Sequence, residues 1–203
     1  MNDVEYQLTG DQTQTVLGTL LGTGSIILPK AGKNAYLQMR QKKSGDVNWL
    51  RCKAGELADV ARPHPFVEDK DSWHWASVAN PVWNKFLALC YQDGTKTVTM
   101  DWLDPLRDRG HAVWFLDKGL YDEKTRQVVL KTAWFGEKGT SLIQKYFDLC
   151  GYECEVQVNR SVWKLVFSQR GSEEYLKLIL PCFPKYLLDQ AVLPNPSNTR
   201  RSG

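Results

Sequence analysis

Apolar positions along this chain recur in two registers, every three to four residues and every second residue, and the switches between them mark the predicted elements. Val16, Leu17, Leu20 and Leu21 share one helical face, with Asp11 or Thr13 as the predicted cap. Gly18 and Gly22 lie on the same helix. Glycine inside a helix costs about 1 kcal/mol relative to alanine, so close approach of a second helix backbone is expected there. Two strands follow, 25–28 and 35–42, joined by the turn-rich stretch 29–33. In the second strand Leu37 and Met39 alternate with Gln38, Arg40 and Lys42, the pattern of a sheet covered on one side only. A helix over 46–60 turns Val47, Leu50, Leu57 and Val60 inward and is broken by Pro63 and Pro65. A strand over 72–78 puts Trp73 and Trp75 on one face and His74 on the other. Pro81 opens a helix to Tyr91, then a turn and extended link lead to a short helical bridge over 100–107.

The second half repeats this order. The predicted elements are a helix over 109–118, strands over 119–121 and 126–134, and an amphipathic helix over 137–150. A hairpin over 153–159 and 161–168 sets Val156 and Val158 against Trp163, Leu165 and Phe167. It leaves Glu155, Gln157, Asn159, Lys164 and Ser168 wet. Ser172 is the predicted cap of a helix to Leu180, and 185–191 forms a last helix. The expected class is α+β, an internal duplication with antiparallel sheets and helices on one side of each. The expected halves are 11–105 and 106–193, with a disordered tail over 194–203.

Composition narrows the picture modestly. A 203-residue chain with ordinary apolar content can bury a sizeable core. A formal charge of +3 is compatible with a nucleic-acid partner without demanding one. The five cysteines include no CxxC pair and no zinc-like spacing, so buried free thiols in a reducing, intracellular compartment are expected: cytoplasm, nucleoid or an organelle matrix. No apolar run approaches the ~20 residues of a membrane span, and the polar, acidic start is not a signal peptide. His64, His74 and His111 are scattered, with no legible Ser/His/Asp or Cys/His arrangement, and the glycines make no phosphate-cradling loop.

Two stretches stand out, VLGTLLGTG over 16–24 and GHAVWFLDKG over 110–119. Each is an apolar helix running into a glycine. LLGTGSI at 20–26, LQMRQKK with WL at 49–50, LALCYQDGTKTVTMDWLDPL before the second stretch, LKTAWF, and the final hairpin and helix ending in ILPCF occur in a specific order. On these motifs the chain resembles the LAGLIDADG homing endonucleases, in the single-chain branch with two motifs, over about 13–193. The resemblance implies two central motif helices side by side, with one four-stranded antiparallel sheet from each half forming a saddle that lies in the DNA major groove. It implies a monomer bound to double-stranded DNA. The candidate contacts in the first half are Lys30, Lys33, Gln38, Arg40, Lys42 and His74. Those in the second are Lys118, Arg126, Lys131, Gln157, Asn159, Arg160 and Lys164. Arg and Lys can donate to guanine N7 and O6, and Gln and Asn can pair with adenine.

In the family the last acid of each motif holds divalent metal, and matched residue by residue those positions are Thr23 and Lys118. Magnesium wants hard oxygen ligands, a hydroxyl is a weak one, and an ammonium at ~4 Å and an effective dielectric near 20 opposes each unit of positive charge by roughly 4 kcal/mol. Asp117 is the possible surrogate acid, although one residue along a helix turns it by about 100°. Ala133 stands where the family often has a glutamine near the cleavage centre. The expectation is a sequence-specific DNA-binding protein with little or no cleavage and no bound metal. Three other readings stay open: an active nuclease using Mg²⁺, an RNA-binding splicing helper of the maturase type, and a saddle reused for protein contacts.

Overall fold

A computed structural model describes residues 6–190 of the chain. The expected tail over 194–203 and the end of the expected second half lie outside the described residues. The chain forms two compact units that divide between Asp117 and Lys118.

The first unit opens with α1 (Gly10–Leu21), which is capped by Thr9 in a capping box with Gln12 rather than by Asp11 or Thr13. Thr9 Oγ1 accepts from the Gln12 amide and Gln12 returns the bond to the Thr9 amide, so the helix starts earlier than its apolar face does. After β1 (Gly24–Ile27) and β2 (Tyr36–Lys42) comes α2 (Val47–Glu56), capped by Asp46, and a 3₁₀ turn over Ala58–Val60. The next element is β3 (Ala61–Glu68), which the sequence reading missed because it contains Pro63 and Pro65. The prolines are tolerated because β3 is an edge strand: the sheet order is β1-β2-β4-β3, with β4 at Ser72–Ser77. Its register with β4 shifts between Ala61 and Phe66, and His64 there has φ 50. Then follow α3 (Pro81–Cys90), capped by Asn80, and the paired β5 (Tyr91–Gln92) and β6 (Thr95–Lys96). That pair is a hairpin rather than an extended link, because Asp93 and Gly94 both take positive φ. The unit ends with α4 (Met100–Leu103) and most of α5 (Asp108–Lys118).

The second unit repeats the plan. It contains β7 (Gly119–Asp122), β8 (Gln127–Lys131), α6 (Gly136–Leu149), β9 (Cys154–Asn159), β10 (Val162–Phe167), α7 (Gln169–Ile179) and α8 (Lys185–Gln190). Its sheet order, β7-β8-β10-β9, matches the first sheet strand for strand. The strand expected to reach Trp134 stops at Lys131, where Ala133–Phe135 turns into a 3₁₀ helix and leaves Trp134 78% exposed. The cap of α7 is Ser168, not Ser172. Ser172 is buried one turn inside, where its Oγ accepts from the Val128 amide and ties helix to sheet. The expectation of buried thiols holds for Cys90 and Cys154, whereas Cys52 and Cys182 are half-buried and Cys150 is exposed.

Each sheet has one covered face and one open face. In the first, Leu37, Met39 and Trp75 are buried beneath helices, and in the second Val128, Leu130, Leu165 and Phe167 are. Phe147 of α6 packs edge-on against Phe167 and Tyr175, with ring centroids 4.9 and 5.5 Å away. Among the described residues no helix is long and apolar enough to cross a membrane.

Candidate nucleic-acid interface and the foot of the motif helices

The close approach expected at Gly18 is present. A Cβ there would stand 2.2 Å from the Gly110 carbonyl oxygen, so α1 and α5 touch backbone to backbone. Gln14 of α1 fastens the same junction: its side chain accepts from the Arg107 amide at 2.7 Å and donates to the Pro105 carbonyl at 2.8 Å. Beside it, Thr15 and Arg109 both bind Glu56 of α2.

At the other end of α1 the chain builds a closed polar cluster around Asp117. Its Oδ2 accepts from the Thr23 amide at 3.0 Å and from Thr23 Oγ1 at 2.9 Å. Its Oδ1 accepts from Trp49 Nε1 at 2.7 Å and Lys53 Nζ at 2.6 Å. A carboxylate offers about four lone-pair sites, and here all are used. The side chains of Lys53 and Asp117 are 1% and 0% exposed. Lys53 Nζ also reaches Thr23 Oγ1 at 3.3 Å and lies 5.2 Å from the Trp49 ring centroid. Gly22 is required beside it, since a Cβ would fall 2.3 Å from Asp117 Oδ2. A second ammonium closes the end of α1: Lys96 Nζ donates to the carbonyls of Leu20 at 3.0 Å and Gly24 at 2.5 Å, where the helix presents unpaired carbonyls.

Lys53 was missed in the sequence. The signal was present: with Trp49, Leu50, Ala54 and Leu57 it completes the buried stripe of α2, and a lysine on such a stripe needs a buried counter-charge. The donor set at the foot of α1 does not suit a divalent cation. Its one carboxylate is saturated, its hydroxyl is neutral, and two ammonium groups stand nearby.

Eight of the candidate contact residues fall on the open strand faces, and Lys30, Lys33, Lys118, Arg126 and Arg160 fall in connections, turns or a helix end. In the first sheet Arg40 pairs with His74 and Lys42 with Ser72 across β2 and β4, and Gln38 is on the same side of β2. Lys30 and Lys33 are exposed in the connection from β1 to β2. In the second sheet Lys131, Lys164 and Gln157 stand in one row across β8, β10 and β9. Asn159 pairs with Val162 at the end of the hairpin, and Arg160 is in its turn with φ 48. Arg126, also in a turn, is tied to Glu173 at 3.2 Å. Lys118 is the last residue of α5. Two lysines directly opposite each other on a sheet repel, so the Lys131–Lys164 pair favours an anionic partner.

Of the scattered histidines, His74 makes a contact the sequence did not reveal. His74 Nε2 lies 2.6 Å from Asp69 Oδ2 and 2.9 Å from Ser72 Oγ. Both contacts fall on the same ring nitrogen, so there is no relay of the hydrolase type, which needs one partner at each nitrogen.

Glycine-ended paired helices and two identically ordered four-stranded sheets define a duplicated α+β endonuclease fold. The chain belongs to the LAGLIDADG DNA endonuclease family, whose model matches residues 13–175. It is similar in structure to the homing endonuclease I-WcaI bound to its DNA recognition sequence, with TM-score 0.79 at 18% identity, covering 89% of this chain and 85% of that one. It is also similar to I-DmoI in complex with DNA and Mn, with TM-score 0.56 at 12% identity over 86% of this chain and 99% of that one. Full-length DUF199/WhiA from Thermatoga maritima matches with TM-score 0.54 at 12% identity, covering 97% of this chain and 66% of its own. In sequence the chain is 24% identical over 191 residues to Protein RecA of Mycolicibacterium flavescens. That match takes in 87% of this chain but 45% of the relative, so the chain spans less than half that protein's length.

Proposed function

We propose that this protein binds double-stranded DNA sequence-specifically, as a monomer, through the open faces of its two sheets, and cleaves it slowly or not at all. In this reading residues 11–105 and 106–193 are the two halves of the duplication, each supplying one motif helix and one DNA-facing sheet. The supporting relatives are the I-WcaI and I-DmoI complexes, both of which contain DNA.

One observation carries the loss of cleavage: the Lys53 ammonium is already seated on Asp117, the acid next to the second motif position. A catalytic metal in this family's chemistry would supply the water nucleophile and stabilise the attacking and leaving oxygens. The chain's own residues work against it. Asp117 has no free lone pair, Thr23 donates its hydroxyl proton inward, and Lys118 brings a positive charge to the other motif position. Of these groups Lys118 suits a phosphate, which an ammonium attracts without help from metal.

The test is binding with and without metal. A duplex selected from a random library should be bound equally tightly in excess chelator and in millimolar Mg²⁺. Affinity should fall steeply with salt, with a log–log slope of about −0.9 per phosphate contact. Affinity that collapses in chelator sinks the reading, as does affinity indifferent to salt. The second reading, metal-dependent double-strand cleavage, draws its support from the I-DmoI relative, whose complex contains Mn as well as DNA.

A further inference from the structure

On the open face of the first sheet one arginine is held in a way its neighbours are not. Arg40 stands on β2, one of the two central strands, and its Nε donates to Ser72 Oγ at 2.9 Å. Ser72 is fully buried, and its hydroxyl donates onward to Asp69, 2.9 Å from Oδ1 and 3.0 Å from Oδ2. Asp69 is in turn fixed by the amides of Ser72 at 2.7 Å and Asp71 at 2.9 Å. His74, the cross-strand neighbour of Arg40, closes the ring from the other side. Because a carboxylate only accepts, the proton in the His74–Asp69 contact is on Nε2. The guanidinium is therefore gripped at Nε alone. Its two terminal nitrogens have no partner among the described residues, and Arg40 itself is exposed.

We infer that Arg40 is a guanine-reading residue, and that Ser72 and Asp69 are positioning residues that fix its open Nη1/Nη2 edge for guanine O6 and N7. This rests on the DNA-binding reading above and names one base subsite within it. Two sources could satisfy the same fork, a guanine edge or a phosphate. The network favours the base. A phosphate contact needs charge and little orientation, and the nearby Asp69 carboxylate cancels part of the arginine's charge. A bidentate base contact needs the fork plane held still, and the Ser72–Asp69 link holds it before DNA arrives. Lys42, on the same face, has no such support and is free to follow phosphates.

The experiment is selection of bound sites from a random duplex library by the full chain, by Arg40→Ala and by Ser72→Ala, with thermal melting to confirm that each variant folds. The wild type should show a position where guanine is preferred on the order of tenfold to a hundredfold over other bases. Arg40→Ala should erase that one preference and leave the rest of the site intact. Ser72→Ala keeps the arginine and its charge, so it should lower the guanine preference several-fold while the salt slope stays unchanged. A salt slope reduced by about 0.9 in Arg40→Ala with every base preference intact would assign Arg40 to a phosphate and overturn the inference. So would an undiminished guanine preference in a folded Ser72→Ala. Failure of the wild type to enrich any duplex sinks the DNA-binding reading itself, and this inference with it.

Discussion

Two polar clusters built around an aspartate lie in the first unit, one sealed and one open. At the foot of α1, Asp117 is shut away with Lys53, Trp49 and Thr23. On the sheet face, Asp69 is bathed in solvent and passes its hold through Ser72 to an arginine with a free edge. A saturated buried pair has nothing left to offer a ligand, whereas a half-satisfied surface group is oriented and still able to bind. Both use an aspartate to restrain a cation. In the first the restraint ends in the protein core, and in the second it points outward. In the proposed function the family's usual working centre falls at the closed cluster, and the proposed recognition surface includes the open one.

The sharpest way to break this contrast is to remove each aspartate. Asp117→Ala strands a buried ammonium and should cost about 3–5 kcal/mol in chemical denaturation. Lys53→Met combined with Asp117→Asn should recover about half of that, since neither charge is then left alone. Asp69→Ala should move the denaturation midpoint far less than Asp117→Ala does. An Asp117→Ala variant as stable as the parent would mean the sealed pair is no structural unit.

Acid should separate the two regions next. Burial of His111 on α5 pushes its pKa down from 6.5 to about 4. The folded state therefore resists a proton that the unfolded chain takes up. Stability from this group is complete above pH 6.5 and is lost as pH falls towards 4, by about 3 kcal/mol in all. Asp69 responds differently: the Asp71 amide, then His74 and Ser72, hold it well below the usual carboxylate range, so it stays ionised across that window. Urea titrations at pH 7 and pH 4.5 on the parent and on His111→Gln should show a smaller pH-dependent loss in the variant.

Smaller effects come from the glycines. Gly18→Ala must push against the Gly110 carbonyl and should cost about 1–3 kcal/mol. Gly55→Ala, in α2 with nothing within 4 Å of the added Cβ, should stabilise by up to about 1 kcal/mol. Equal effects at the two sites, read from thermal melts, would remove the argument for close helix contact.

The sequence revealed what depends on periodicity. The alternation of Leu37 and Met39 with Gln38, Arg40 and Lys42 placed β2 and its open face, and the Val158–Trp163 and Val156–Leu165 pairs of the last hairpin are in the register the pattern implied. It hid what depends on tertiary context. Pro63 and Pro65 concealed β3 because local rules cannot tell that a strand will be at an edge. Ser172 looked like a cap because a serine's bond to a distant strand leaves no local trace. The Lys53–Asp117 pair joins residues far apart in sequence, and only the apolar stripe around Lys53 hinted at it. The Asp69–Ser72–His74 ring is local, yet it depends on the turn between β3 and β4 folding back on itself.

In the proposed function the open sheet faces grip DNA, and the sealed foot of the motif helices leaves it uncut. This is tested most directly by incubating a supercoiled plasmid carrying the selected site with saturating protein in Mg²⁺ or Mn²⁺ and following its topology over hours. The plasmid should be bound throughout and stay supercoiled. Conversion of the bound plasmid to linear product within minutes would contradict it.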